Sequence, residues 1–278
     1  MKLVLLAVAV VAVAIPSSPA SDKPSLKEVV RRVTQYVDEY GAKASIVVAT
    51  ERYTQASTGS GGGGDQKRVL VADFAIVKAE ANHTWIGFRD VMEVDGKPLP
   101  DRENRLIDVL MSSSGSYDEA RRISDESARF NIGGLLRNFN VPTTVVFFFA
   151  RENVDRFKFS RKDPGQDAAW EIQFREVYRP TLIRTPDGGS VPAEGTIWVN
   201  PTDGTILRTH LRVAPPRERS AAGLAEIDVT FQRVDSLGMW LPASMDESYL
   251  DLRGRTMHTT GHAEYSNYRR FETSARIK

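Results

Sequence analysis

The chain has 278 residues, of which 41% are hydrophobic and 26% charged, a balance that excludes a wholly disordered polypeptide. Its formal net charge is +1, which leaves no broad cationic footprint for nucleic acid. It has no cysteine, so a disulfide framework, a thiol nucleophile, a cysteine-based zinc site and acylation at a bacterial lipobox are excluded.

At the N-terminus Lys2 precedes an unbroken apolar run, Leu3 to Ile15, ended by Pro16 and followed by Ser18-Pro19-Ala20. A short basic region, an apolar stretch and small residues at the processing positions form a secretory signal, with cleavage expected after Ala20. The apolar run falls short of the roughly 20 residues that span a bilayer. No later stretch does better; Val145–Ala150 is far too short. The expected product, residues 21–278, is a periplasmic or secreted protein with no transmembrane segment.

A helix is predicted over residues 25–41. Leu26, Val29, Val30, Val33, Tyr36, Val37 and Tyr40 repeat at helical spacing. Ser25 and Glu28 form a capping box, and Gly41 is the expected stop. Strands follow within 45–94: Ser45–Tyr53, Arg68–Lys78 and Trp85–Val94, rich in β-branched residues. Asp95-Gly96 supplies two-residue hairpin chemistry. Between the first two strands, Gly59, Gly61 and Gly64 match the letters of a dinucleotide-binding loop. That motif must open a helix; here a strand follows, so residues 57–66 read as a flexible hairpin connector. Asp90, Glu93, Asp95 and Asp101 lack calcium-loop spacing and read as a solvated hairpin edge.

The interval 103–155 reads as a helical insert, from Arg105–Met111, Tyr117–Phe130 and Thr143–Val154. From 157 to 273 the strand candidates become regular: Trp170–Tyr178, Gly195–Asn200, Ile206–Val213, Ala225–Val234, Trp240–Tyr249, Arg255–Tyr265 and Tyr268–Thr273. Turn-forming residues separate them, the pattern of an antiparallel meander. The element order predicts a single α+β domain. Its core would be a large curved antiparallel sheet, half-barrel-like, with the N-terminal helix and the central helices on its concave face.

Chemical motifs are sparse. There is no G-x-S-x-G elbow and no S-x-x-K arrangement, and no catalytic residue or cofactor is assigned. His258, His262 and Glu264 have the look of a zinc set, but histidines at i and i+4 converge on a helix and not on a strand, where they stand about 13 Å apart. The aromatic residues offer another reading. Phe147, Phe149, Trp170, Trp198, Phe231 and Trp240 would line any apolar cavity under the sheet, and would equally serve as a filled core.

Three segments carry a resemblance: WIGFRDVMEVDGKPLPDRENRL, ARFNIGGLLRNFNVPTTVVFF, and GTIWVNPTDGTILRT with the terminal GHAEYSNYRRFET. Together they resemble a group of uncharacterised secreted proteins common in Acidobacteria, a likeness that assigns no catalytic residue. In element order alone the chain resembles the periplasmic lipoprotein carriers of the LolA/LolB kind, half-open antiparallel barrels that shelter acyl chains. The resemblance implies a non-enzymatic carrier for an acyl chain or other apolar ligand, with a lipid or lipidated protein as partner and no nucleic acid. The alternatives are a secreted hydrolase, metal-dependent through His258, His262 and Glu264, or an interaction domain with no small ligand.

Overall fold

The computed structural model describes residues 23–45, 47–59, 65–79, 84–102, 105–111, 116–133, 137, 139–162, 169–185, 188–214, 223–251 and 257–270. The expected signal segment, 1–20, and the centre of the glycine-rich connector lie outside them. Helix α1 (Leu26–Ala44) leads into β1 (Val47–Gly59), β2 (Gln66–Ala79), β3 (Thr84–Val94) and the short β4 (Lys97–Pro98). Three helices follow: α2 (Arg105–Met111), α3 (Ser116–Ser127) and α4 (Thr144–Phe148). The second run of strands is β5 (Phe157–Arg161), β6 (Trp170–Glu176), β7 (Ala193–Val199), β8 (Ile206–Val213), β9 (Leu224–Val234), β10 (Met239–Asp251) and β11 (Met257–Arg270).

All eleven strands form one antiparallel sheet in the order β4-β3-β2-β1-β11-β10-β9-β8-β7-β6-β5. Each strand pairs with its sequence neighbour except at one join, where β11 lies between β10 and β1. The glycine-rich segment connects β1 to β2, whose ladder runs out to Ser57 opposite Gln66. It is a hairpin connector, with no helix after it.

The sheet is strongly curved. Arg32 of α1 donates to the carbonyl of Pro201, in the β7–β8 turn, at 2.7 Å, and Gly41 of the same helix lies against the Trp85 ring of β3. Nine helical residues span about 14 Å. On a flat sheet, β3 and β8 would be six strand spacings apart, about 29 Å. The sheet therefore wraps around α1, and α4 also touches both β3 and β8. On this concave face α1 buries Val29, Val33, Val37, Tyr40 and Ala44. Phe148 and Phe149 pack among Phe157, Phe159 and Phe174.

The single α+β sheet agrees with the sequence pattern, and several details differ. The central helices do not all share the concave face. Only α4 lies there; α2 and α3 cover the reverse face of the first strands, where Leu106, Val109, Ala120 and Ile123 pack on Val48, Ala75, Val77 and Phe88. Val48, Ala75 and Val77 point away from the main core because strand side chains alternate. The helix expected over 143–154 is the five-residue α4. Its β-branched and aromatic residues are poor helix formers, and Asn153 Nδ2 bonds the Phe147 carbonyl at 3.0 Å, occupying an acceptor at its C-terminal end. Helix α1 passes Gly41 and continues to Ala44; the glycine serves close packing and not termination, since a side chain at 41 would sit 2.5 Å from the Trp85 ring. The last two expected strands are one, with a register shift opposite Val48/Thr50 and a positive φ of 50° at Asn267, the mark of a bulge. Strand β5 escapes the sequence pattern, being only five residues long.

Gly204 fixes the seat of α1. It has φ +78°, and a Cβ there would lie 2.4 Å from the backbone of Arg32. Gly204→Ala is expected to destabilise the protein by about 1–3 kcal/mol, through overpacking against an atom that cannot move aside. Urea unfolding measures this, and an unchanged midpoint would mean that α1 is not clamped there.

Candidate functional site

Two neighbouring features stand out, one inside the concave face and one at the β3 edge of the sheet. The first is a buried polar layer. Along β1 the inward positions run Val47, Ala49, Glu51, Tyr53, Gln55 and Ser57, so the strand's buried face turns from apolar to polar partway along. Glu51 holds Arg89 of β3 through a two-pronged ion pair, one contact at 2.7 Å, and accepts from Tyr265 at 2.6 Å. Tyr53 donates to Glu247 of β10 at 2.5 Å. Gly261 of β11 makes this contact possible, because a Cβ there would lie 2.7 Å from the Tyr53 hydroxyl and 2.8 Å from the Glu247 carboxylate.

Arg137, only 1% exposed, enters this layer from the segment between α3 and α4. It donates to Gln55 and to the Ile132 carbonyl, both at 2.6 Å, and to Tyr53 at 3.2 Å. Its guanidinium lies 3.7 Å from Glu247 and over the Tyr249 ring. Burial drives the Glu247 carboxyl above its ordinary value, opposed by Arg137 and Arg89. Burial likewise raises the Tyr53, Tyr249 and Tyr265 hydroxyls well above theirs. Tyr53 and Tyr265 act as neutral donors, to Glu247 and Glu51. The layer is closed to solvent and ties Arg137 and Asn140 to the sheet; Arg89 reaches the Asn140 carbonyl at 3.3 Å.

The second feature is a cleft of about 560 Å³ beside that segment. One wall is the β3 stretch Trp85-Ile86-Gly87, a second is Phe139, Val141, Thr143, Phe147 and Phe148, and a third is Leu182 to Thr185. Arg121 and Ser124 of α3 complete it. Gly87 allows the wall to form, since a Cβ there would lie 2.3 Å from the Thr143 hydroxyl oxygen. Thr144 donates to the Phe139 carbonyl at 2.6 Å and fixes the turn that carries Phe139 and Val141. The opposite wall is braced by Thr181, which donates to the Ile183 carbonyl at 2.6 Å and accepts from the Val191 amide at 2.8 Å. At the rim, the Arg184 side chain donates to the Thr181 carbonyl at 3.2 Å, and among the described residues neither it nor Arg121 has an acidic partner. The cleft can hold an apolar chain and present two guanidinium groups to an anionic end.

Of the aromatic residues picked from the sequence, Phe147 lines the cleft. Phe149, Trp170 and Phe231 are buried in the main core, Trp170 with Arg161 over its ring at 3.4 Å. Trp240 is half-buried at the core margin. Trp198 faces outward beneath Arg208, 4.6 Å away. The centre of the concave face is occupied by α1 and α4, and the open volume lies at the β3 side.

His258, His262 and Glu264 lie on the outer face of β11. His258 bonds Ser248 at 3.0 Å and His262 bonds Asp246 at 2.7 Å, while Glu264 is 4.0 Å from His262. No group of three metal-ligating side chains converges among the described residues. The acidic hairpin reading needs correction at Asp90, which is fully buried on the reverse face. Arg102 and Arg105 approach it at 3.5 and 3.9 Å. Burial nonetheless pushes its carboxyl up to about 6.

No family model and no curated protein matches the chain. Among solved structures, it is similar to a domain described as an outer membrane lipoprotein-sorting protein domain, from Vibrio parahaemolyticus. The identity is 8% over 89% of this chain and 95% of that one, with a TM-score of 0.41. It is also similar to a DUF1329 family protein from Desulfovibrio piger, at 12% identity, 90% and 98% coverage and a TM-score of 0.36. A third is a LolA superfamily protein from Nitrosomonas europaea, at 10% identity, 89% and 96% coverage and a TM-score of 0.35.

Proposed function

We propose that the protein is a non-enzymatic binding or carrier protein for a single-chain amphiphile, working in the periplasm or outside the cell. The acyl chain lies in the cleft and an anionic head meets Arg121 and Arg184. The observation that carries this reading is the cleft itself. Its volume, about 560 Å³, falls in the range of about 300–1,000 Å³ typical of small-ligand sites. Aromatic and aliphatic side chains share its walls with threonine hydroxyls, and two guanidinium groups with no acidic partner among the described residues stand at its rim. The buried polar layer supports the site by holding the wall that bears Phe139 and Val141, which keeps the cleft open before a ligand arrives and lowers the ordering cost of binding.

Organic extraction of the protein purified from a bacterial periplasm is expected to release a stoichiometric acyl compound by mass spectrometry. Phe147→Ala is expected to weaken binding of a fluorescent fatty acid by about tenfold or more, the loss of an apolar contact worth about 1.5 kcal/mol or more. Arg184→Gln should weaken the fatty acid and leave the matching fatty alcohol unchanged. Failure of the wild-type protein to bind either probe would overturn the reading.

A further inference from the structure

Val177 and Tyr178 are 43% and 57% exposed, and they are the exposed large hydrophobic residues among those described. They are adjacent, on the turn that leaves β6 and leads to the cleft wall at Leu182–Thr185. Arg175, Arg179 and Arg184 punctuate the same stretch, and Arg156 lies over the Tyr178 ring at 5.7 Å. Among the described residues, two acids beside this turn are already engaged. Glu176 is buried, contacts Arg156 at 3.3 Å and accepts from the Leu182 amide at 2.8 Å. Glu194 is held by Arg212 at 2.6 Å. The turn is also braced, for Arg156 donates to the Pro180 carbonyl and Thr181 bonds both flanks. An aromatic and an aliphatic side chain are thus held out from a braced frame, with Arg156 over the ring and Arg175 and Arg179 close by in sequence.

We infer that this turn is a docking surface for an anionic lipid bilayer, placing the cleft mouth at the membrane where an amphiphile would enter or leave. The inference rests on the amphiphile reading above. Its support is chemical complementarity. Tyrosine sits favourably at the boundary between hydrocarbon and water. A cluster of basic side chains is drawn to a negatively charged lipid surface. Weak apolar insertion and local charge together give attachment that neither gives alone. Leu182 to Thr185 belong both to the docking turn and to the cleft wall, so a bilayer touching Tyr178 lies next to the cleft opening.

The test is co-sedimentation of the purified protein with vesicles of phosphatidylcholine alone, or of phosphatidylcholine mixed with phosphatidylglycerol. Fluorescent fatty acid binding is measured in parallel, without vesicles. The wild-type protein is expected to sediment with the mixed vesicles, less so at high salt, and not with phosphatidylcholine alone. Arg179→Gln is expected to lower the partition coefficient about fivefold, the equivalent of about 1 kcal/mol for one basic residue at an anionic surface. The pair Val177→Ser and Tyr178→Ser should lower it further, with circular dichroism and solution binding of the fatty acid unchanged. Equal sedimentation with both vesicle types, no sedimentation with either, or variants that sediment like wild type would each overturn the docking surface. Fatty acid binding without vesicle attachment overturns the docking surface and leaves the cleft reading standing; vesicle attachment without fatty acid binding overturns the cleft reading.

Discussion

Arg137→Ala is expected to destabilise the protein by about 3–5 kcal/mol, a large share of the stability of an ordinary domain. The loss has little to do with the net strength of the ion pair. Arg137 and Glu247 are both buried, and bringing the two charges out of water consumes much of what their attraction returns. Removing one partner alone strands the other. Glu247 then keeps the Tyr53 hydrogen bond but loses the guanidinium 3.7 Å away, the Ile132 carbonyl loses the Arg137 donor, and Gln55 Oε1 is left with the Ile132 amide alone. The double variant Arg137→Met with Glu247→Gln, which removes both charges, should recover a substantial part of the loss. Urea denaturation of the two singles and the double gives the coupling directly. If the single variant costs less than 1 kcal/mol, the layer is not what holds the cleft wall in place.

A second expected result concerns Asp90 on the opposite face. Its carboxyl titrates near 6 in the folded protein, against 3.8 for the free side chain. The primary cause is burial, which outweighs the attraction of Arg102. Below about pH 4 the group is protonated in both folded and unfolded chains. Between pH 4 and 6 the folded chain alone keeps the proton, so this contribution to stability falls as pH rises, and it is lost once the folded group ionises. The interval corresponds to an order of 2–3 kcal/mol. Asp90→Asn keeps the shape and removes the ionisation. The variant is expected to match the wild type more closely near pH 4 and to exceed it in stability at pH 7–8. Thermal melts of both proteins across that range check the difference, which cancels the titration of other carboxylates. A variant less stable than wild type at pH 8 would show that Arg102 and Arg105 need the charge more than burial penalises it.

Much of the sheet could be read from the chain. Ile206–Val213 was legible to the residue, and Asp95-Gly96 forms the expected turn, with φ of 51° and 78°. Both are local signals: alternation of burial, and residues suited to left-handed backbone. The short β5 and the single turn of α4 were not legible, because so few residues carry no period. The side chosen by α2 and α3 was not legible either. Both faces of the first strands are apolar near Val48 and Ala75, and alternation cannot say which one a later helix will cover. Of the cleft, only Phe147 was found, since aromatic character does not distinguish a wall from a core. The buried layer was missed although a signal existed. Glu51, Tyr53 and Gln55 continue the inward parity of Val47 and Ala49, and Glu247 and Tyr249 share one face of β10 with Met245. Polar residues on a face that is buried elsewhere in the same strand mark partners yet to be found. Arg137 came from outside the sheet, and no periodicity pointed to it.

The placement of β11 has a consequence for how the chain assembles. Strands β1 to β4 form one set of nearest-neighbour hairpins and β5 to β10 another, and each can zip up from contacts local in sequence. Only the last strand joins them, pairing with β1 on one side and β10 on the other. Its ladder with β1 closes a loop of nearly the whole protein, the kind of contact that is slow to form because its entropy is lost before its bonds are gained. During synthesis both halves therefore wait with an open hydrogen-bonding edge until Met257–Arg270 has emerged. The final strand completes two half-sheets at once and turns them into a single molecule.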